Sequence, residues 1–208
     1  HSIRRGAAAP AITESPAAPD WTSPADCPRI SGRSFRVTSL TGAARPSEVP
    51  DAAAVLDPKQ PGCSYPYKEL SGCGVGFKLV HAYSKIHGIL FSSILNYLDL
   101  VAVSIASDIV PITGENRVMA YYGLKQLNDS PRTGLREIIR EAEITRALTV
   151  EDVVFKIGPR INAAGRMETG SKAVELLISN DTKLAAGISR EINNFNIERR
   201  TIERVITN

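Results

Sequence analysis

Basic side chains and small residues are concentrated in one segment, KIGPRINAAGRMETGSK, at residues 156–172. Four of its residues are Lys or Arg, and Glu168 is the single acid. Its glycines, its alanines and Pro159 predict a tight turn built from small residues. Arg160 and Arg166 on such a turn suit phosphate oxygens, because a guanidinium group donates paired hydrogen bonds. A solvated basic loop, or an arginine paired with a carboxylate, is an equally good interpretation at this point.

A single carboxylate, Asp108, follows a long apolar segment. It stands in SIASDIVP, directly after the run ILNYLDLVAVSI. The run is apolar nearly all round and is therefore predicted to be buried, so the carboxylate should emerge at the edge of a core. Carboxylates in such positions can hold a divalent metal ion. An aspartate that caps a helix or is solvated is the more common case.

Three glycines lie close together in GCGVG, at residues 72–76. Glycine allows a backbone to approach a phosphate or a packed neighbour closely. The spacing matches neither a dinucleotide-binding loop nor a P-loop. Close packing of a helix is therefore the better interpretation.

Helices must position these groups, and apolar periodicity predicts most of them. Thr149 is expected to cap one helix, because Asp152 follows three residues later, as in a capping box. A short buried strand is expected at 52–56. The predicted helices cover residues 69–86, 94–105, 116–127 and 134–142.

The clearest predicted helix begins at Asp181, a suitable N-cap, and runs to the last residue. Its arginines at 190, 199, 200 and 204 are expected to lie in water. Its apolar side chains fall on one face, which is expected to be buried. That face consists of Leu184, Ile188, Ile192, Phe195, Ile202 and Ile206.

Composition divides the chain into two unlike parts. Residues 1–50 hold seven of the 13 prolines and show no helical or strand period. We expect residues 1–47 to form an irregular arm, either poorly ordered or the product of a shifted reading frame. From about residue 48 onward the composition is that of a folded protein.

The remaining composition excludes several classes of protein. Three cysteines, none in a CxxC pair, argue against a disulfide framework and against a structural zinc site. No segment is apolar enough to span a membrane, and no secretory signal is visible. We expect a cytoplasmic protein without membrane contact. The net charge of +3 is too small to indicate a nucleic-acid partner by itself.

Several long motifs resemble one family, the RecJ-type exonucleases among the DHH phosphoesterases. The segment IGPRINAAGRM is similar to a signature of that family. LDPKQPGCSYPYKELSGCGVGFKL resembles the stretch that follows the family's Asp-His-His motif. YLDLVAVSIASDIVPITGENRVMAYYGLKQLN resembles the stretch that carries a later metal-binding Asp, and IERRTIERVI resembles the family's linker helix. The resemblance runs in order from about residue 48 to residue 208.

This resemblance implies a metal-dependent enzyme that degrades single-stranded DNA from its 5′ end in repair and recombination. Mn²⁺ or Mg²⁺ would be the cofactor, and Asp108 would be both a catalytic residue and a metal ligand. Arg160, Asn162 and Arg166 would line the nucleic-acid groove. The implied fold is helix-rich α/β. Residues 48–180 would form the C-terminal part of a DHH-type parallel-sheet catalytic domain, and residues 181–208 would begin the interdomain linker helix. With strands missing, apolar surface is expected to be exposed near residues 53–56 and 94–105.

The family's Asp-x-Asp and Asp-His-His motifs do not occur in these 208 residues, and TGAAR (41–45) stands where the latter is expected. We therefore expect the chain as written to be inactive, and to be a monomer that binds single-stranded DNA. One alternative is a catalytically inactive module that binds nucleic acid or serves as a replication scaffold. A DHH phosphoesterase acting on small nucleotides is a further alternative, and the motifs favour it least.

Overall fold

The computed structural model describes residues 35–37, 54–167 and 170–207. Helices carry nearly all of the regular structure in these residues. A 3₁₀ turn covers Leu95–Tyr97, and a π-helical turn covers Val153–Ile157. The α-helices are α1 (Gly72–Ile86), α2 (Phe91–Ile94), α3 (Leu98–Ser107), α4 (Gly114–Asp129), α5 (Thr133–Glu141), α6 (Val150–Asp152), α7 (Gly158–Met167), α8 (Ser171–Ile178) and α9 (Thr182–Thr207).

Two short strands, β1 (Phe35–Val37) and β2 (Ala54–Leu56), pair in parallel. β2 agrees with the strand expected at 52–56. β1 lies within residues 1–47, where the aromatic and β-branched residues of FRV favour a strand. The rest of the predicted irregular arm lies outside the described residues. The helix-rich character is confirmed. The described part of the chain contains this two-stranded sheet alone, so a wider parallel sheet stays a prediction.

The predicted helices are present with adjusted ends. α1 begins at Gly72 because Ser71 caps it, with Ser71 Oγ accepting a hydrogen bond from Gly74 N–H at 3.1 Å. The predicted helix 94–105 is divided by the 3₁₀ turn. Thr149 and Asp152 form the expected capping box. Asp181 caps α9, accepting hydrogen bonds from the N–H groups of residues 183 and 184.

Helix α3 lies at the centre of the molecule and contributes to two hydrophobic clusters. Val101 and Ile105 pack with residues of α1 and α4. Ala102, Val103 and Ala106 pack with residues of α5, α8, α9 and the π-helical turn. The expectation of exposed apolar surface at 94–105 is therefore wrong. The buried positions there are Ile94, Leu98, Val101, Ala102, Val103 and Ile105.

A buried ion pair ties the ends of three helices together. Asp99 in α3 is fully buried, and Arg132, the residue before α5, donates to both of its carboxylate oxygens at 2.6 and 2.7 Å. Arg132 also donates to the carbonyl oxygens of Leu177 in α8 and Asn96. The apolar patterns that predicted the helices do not reveal this pair, because its partners are 33 residues apart.

Helix α9 buries only part of its predicted apolar face. Ile188 and Ile192 are buried, and Ile192 is completely so. Leu184 and Ile202 are exposed, contrary to the prediction, with 45% and 52% of their surfaces in contact with solvent. The described helices α5, α7 and α8 cover the middle of α9 and leave parts of its two ends open.

Candidate metal and nucleic-acid site

The basic segment is helical, which corrects the predicted tight turn. The π-helical turn continues directly into α7, whose second residue is Pro159. A proline has no N–H to donate to the carbonyl four residues earlier, and a widened turn accommodates that loss. The small residues serve packing instead of turning, since Ala163 and Ala164 are completely buried.

Gly158 brings the start of α7 against the end of α3. A Cβ atom at Gly158 would lie 2.5 Å from Ser107 Oγ and 3.2 Å from the carbonyl oxygen of Val153. Only a glycine fits there without displacement. Ser107 immediately precedes Asp108, so this contact joins the proposed metal ligand to the basic helix.

Asp108 lies at the C-terminal cap of α3 and is exposed. Its Oδ2 accepts a hydrogen bond from Ser104 Oγ at 3.0 Å, one helical turn earlier. The next residue, Ile109, has a φ of 53°, a left-handed conformation that is unfavourable for a β-branched residue. The carboxylate thus emerges from the core on a strained turn, as its place in the sequence predicted.

Cys73 of α1 is a neighbour of this turn. Desolvation by the surrounding protein raises the pKa of its thiol, a hydrogen bond from Ser104 lowers it, and the Asp108 carboxylate raises it.

The described residues do not by themselves fit a site for two metal ions. Among residues 54–167 and 170–207, no group of three or more His, Cys, Asp or Glu side chains could hold a cation. Two adjacent dications need several carboxylates to balance their charge. Asp108 can supply one ligand, and further ligands would have to come from other parts of the protein.

Arg160 is half-buried between α7 and α9. Its Nε donates to Asn193 Oδ1 at 3.0 Å, and its Nη1 donates to the Lys156 carbonyl oxygen at 2.7 Å. Burial lowers the pKa of its guanidinium, and the charge of Arg200 lowers it further, whereas Glu141 and Glu143 raise it. No described carboxylate lies within ion-pair distance of it, so its remaining donors are available to a ligand.

The structure says less about the other two predicted binding residues, Asn162 and Arg166. Asn162 is exposed on α7. Arg166 also belongs to α7, and its side chain lies outside the described residues. The lysines at the two ends of the segment are paired, Lys156 with Asp152 at 3.2 Å and Lys172 with Glu191.

Sequence reasoning missed two participants on α9, namely Asn193 and Arg200. Asn193 orients Arg160, and Arg200 is close enough to perturb it. The seven-residue spacing of these two residues places them on one face of the helix. That spacing is the signal in the sequence that links them, and the expectation that Arg200 lies in water is confirmed, because its side chain is exposed.

Comparisons with known proteins identify this architecture. The chain is 43% identical over 162 residues to the single-stranded-DNA-specific exonuclease RecJ of Bacillus subtilis, a match covering 77% of this chain and 20% of that protein. RecJ of Thermus thermophilus in complex with Mn²⁺ matches with a TM-score of 0.69 and 30% identity, over 78% of this chain and 24% of that one. The same protein in complex with Mg²⁺ matches with a TM-score of 0.66 and 32% identity, over 73% of this chain and 24% of that one. No family profile matches the chain.

Fold and identity together define the class of protein: the chain is homologous to exonucleases that have been solved with Mn²⁺ or Mg²⁺. It belongs to the RecJ family of single-stranded-DNA-specific exonucleases, as its motifs indicated. The chain spans only a fifth of the length of the Bacillus subtilis relative. No helix among the described residues is long and apolar enough to cross a membrane.

Proposed function

We propose that the chain supplies the strand-binding part of a metal-dependent exonuclease that degrades single-stranded DNA from the 5′ end. The observation that carries this proposal is Arg160, a half-buried guanidinium without a carboxylate partner among the described residues. A buried cation without a counter-charge is costly unless a ligand supplies one. A phosphate of the strand would do so, with Asn162 and Arg166 as further contacts.

In this proposal Asp108 is one ligand of the Mn²⁺ or Mg²⁺ site. Its exposed carboxylate lies next to the packing contact between Ser107 and Gly158, so it stands close to the helix that would hold the strand. Residues 48–180 would be part of the catalytic domain. Residues 181–208 would begin the linker helix, and the protein would act as a monomer.

The 208-residue chain alone is expected to bind strands without hydrolysing them. A 5′-phosphorylated single strand incubated with the chain and Mn²⁺ should release no nucleotides, because the described residues offer one carboxylate where several are needed. Release of nucleotides that disappears in Asp108→Ala would contradict this expectation. A chain that neither binds nor cleaves the strand would refute the proposed function as a whole.

A catalytically inactive binding or scaffold module is the second candidate. It is favoured by the same combination of an available Arg160 and an isolated Asp108. Restoring the missing upstream motifs separates the two candidates. Mn²⁺-dependent cleavage by the extended protein supports the exonuclease, and unchanged binding without cleavage supports the module. A phosphoesterase acting on small nucleotides would instead cleave a dinucleotide faster than a long strand.

A further inference from the structure

The contact between α7 and α9 holds Arg160 in a fixed position. Asn193 of α9 accepts the hydrogen bond from its Nε, and the Lys156 carbonyl accepts one from Nη1. These two bonds use the Nε–H and one N–H of Nη1. Nη2 has no hydrogen-bond partner in the described part of the chain, although an arginine has five N–H donors. The group is therefore oriented by protein and left with donors to spare.

Arg200 lies seven residues after Asn193 on the same helix. Seven residues make almost two full turns, so Arg200 lies on the face of α9 that carries Asn193, roughly 10 Å further along. Side chains on a helix lean towards its N-terminus, which carries the Arg200 guanidinium back towards Arg160. Arg200 is exposed and makes no hydrogen bond or ion pair with any described residue. Its neighbour Arg199, by contrast, is paired with Glu203.

Arg160 and Arg200 are thus like-charged neighbours, and neither forms an ion pair with a described carboxylate. The acids whose charges act on Arg160 are Glu141 and Glu143. Neither is within ion-pair distance of Arg160, and Glu141 lies 3.9 Å from Arg140 instead. Repulsion between the two guanidinium groups is unfavourable in the free protein. An anion placed between them would remove that repulsion and satisfy the spare donors.

We propose that Arg160 and Arg200 together bind a backbone phosphate of a single-stranded nucleic acid, so that α9 forms one wall of the strand path. This inference rests on the proposed function, which assigns strand binding to α7 alone. It adds a second helix and a specific residue, Arg200. Asn193 is a positioning residue in this arrangement, because it acts by orienting Arg160.

The test is strand affinity, measured by fluorescence anisotropy with a short, labelled, 5′-phosphorylated oligothymidylate in EDTA, so that no cleavage can occur. Arg200→Gln should weaken binding about tenfold, as expected for one charge-assisted contact. It should also reduce the slope of log affinity against log salt by about 0.7, the value for one phosphate of a single strand. Arg200→Lys should keep the slope and lose part of the affinity, because it retains the charge.

Lys183→Gln is the matched control, since Lys183 is an exposed cation on the same helix about 25 Å away. It should change neither affinity nor slope. Arg160→Gln and Arg200→Gln combined should lose less than the sum of the single losses, since both residues would contact one phosphate. Circular dichroism of each variant checks that α9 remains helical.

The outcomes distinguish the inference from the proposal beneath it. If Arg160→Gln weakens binding while Arg200→Gln behaves like Lys183→Gln, the shared site is refuted and the proposed function stands. If the unaltered chain does not bind the strand, both are refuted. Additive losses from the two arginines would also overturn the shared phosphate, because they would indicate separate contacts.

Discussion

Charged side chains are used in opposite ways in two regions of this molecule. In the core, the buried Asp99 carboxylate receives two hydrogen bonds from Arg132 and is fully neutralised by protein. Where α3 ends and α7 meets α9, Asp108 is exposed and Arg160 keeps donors without partners among the described residues. Paired charges in the first region hold helices together, whereas the charges in the second are the ones that the proposed function assigns to a metal ion and a phosphate. The two regions therefore differ in burial and pairing, and not in residue type.

The largest expected effect breaks the structural side of this comparison. Arg132→Met leaves the Asp99 carboxylate buried and unpaired, which should lower the free energy of unfolding by about 3–5 kcal/mol. Asp108→Asn removes an exposed carboxylate and should change it by less than about 0.5 kcal/mol. Urea denaturation of both variants measures the difference.

The double variant Asp99→Leu, Arg132→Met provides the control. It removes both charges, so stability should recover in part relative to Arg132→Met, because an apolar pair does not leave a buried charge. Equal losses for Arg132→Met and Asp108→Asn would show that the two regions do not differ in the way described.

A smaller effect is expected where the two regions meet, at Gly158. Gly158→Ala would place a Cβ 2.5 Å from Ser107 Oγ, and the overlap should cost about 1–3 kcal/mol. Alanine recovers about 1 kcal/mol through its higher helix propensity, so a modest net loss of stability is expected. In a Ser107→Ala background the 2.5 Å overlap is removed and only the contacts at 3.2 and 3.3 Å remain, so the same change should cost less stability. Thermal unfolding of the unaltered protein, the two single variants and the double variant measures the coupling between residues 107 and 158.

Gly187→Ala is the matched control for the stability that alanine gains over glycine through helix propensity. Gly187 also lies in a helix, and a Cβ there would have no atom within 4 Å. It should therefore stabilise the protein by up to about 1 kcal/mol. A stabilising Gly158→Ala in the unaltered background would mean that the contact between α3 and α7 is looser than the structure indicates.

Local patterns in the sequence revealed the helices, the Thr149 and Asp181 caps and the position of Asp108 at the edge of the core. These features depend on residues within one or two turns of each other. The Asp99–Arg132 pair, the Gly158–Ser107 contact and the neighbourhood of Arg160 and Arg200 join residues tens of positions apart. Periodicity carries no information on such pairs. The small residues of the basic segment suit both turns and close helix packing, so the sequence alone does not distinguish the two.

The smallest expected effect concerns Asp152, a charge that is structural although it lies beside the basic segment. Hydrogen bonds from Arg146, from Thr149 and from Lys156 hold the pKa of its carboxyl well below the usual range. A depressed pKa in the folded state stabilises the protein above the unfolded-state pKa, and this contribution is lost as the pH falls below about 5.

Asp152→Asn should lower stability by about 1 kcal/mol at pH 7, by weakening the capping box. It should also flatten the decline of stability between about pH 5 and pH 2. Thr149→Ala, which keeps the carboxylate and its Arg146 partner, should lose a similar amount at pH 7 and retain most of the decline. Urea midpoints measured across that pH range decide the matter, and an unchanged acid limb in Asp152→Asn would assign the acid sensitivity to other groups.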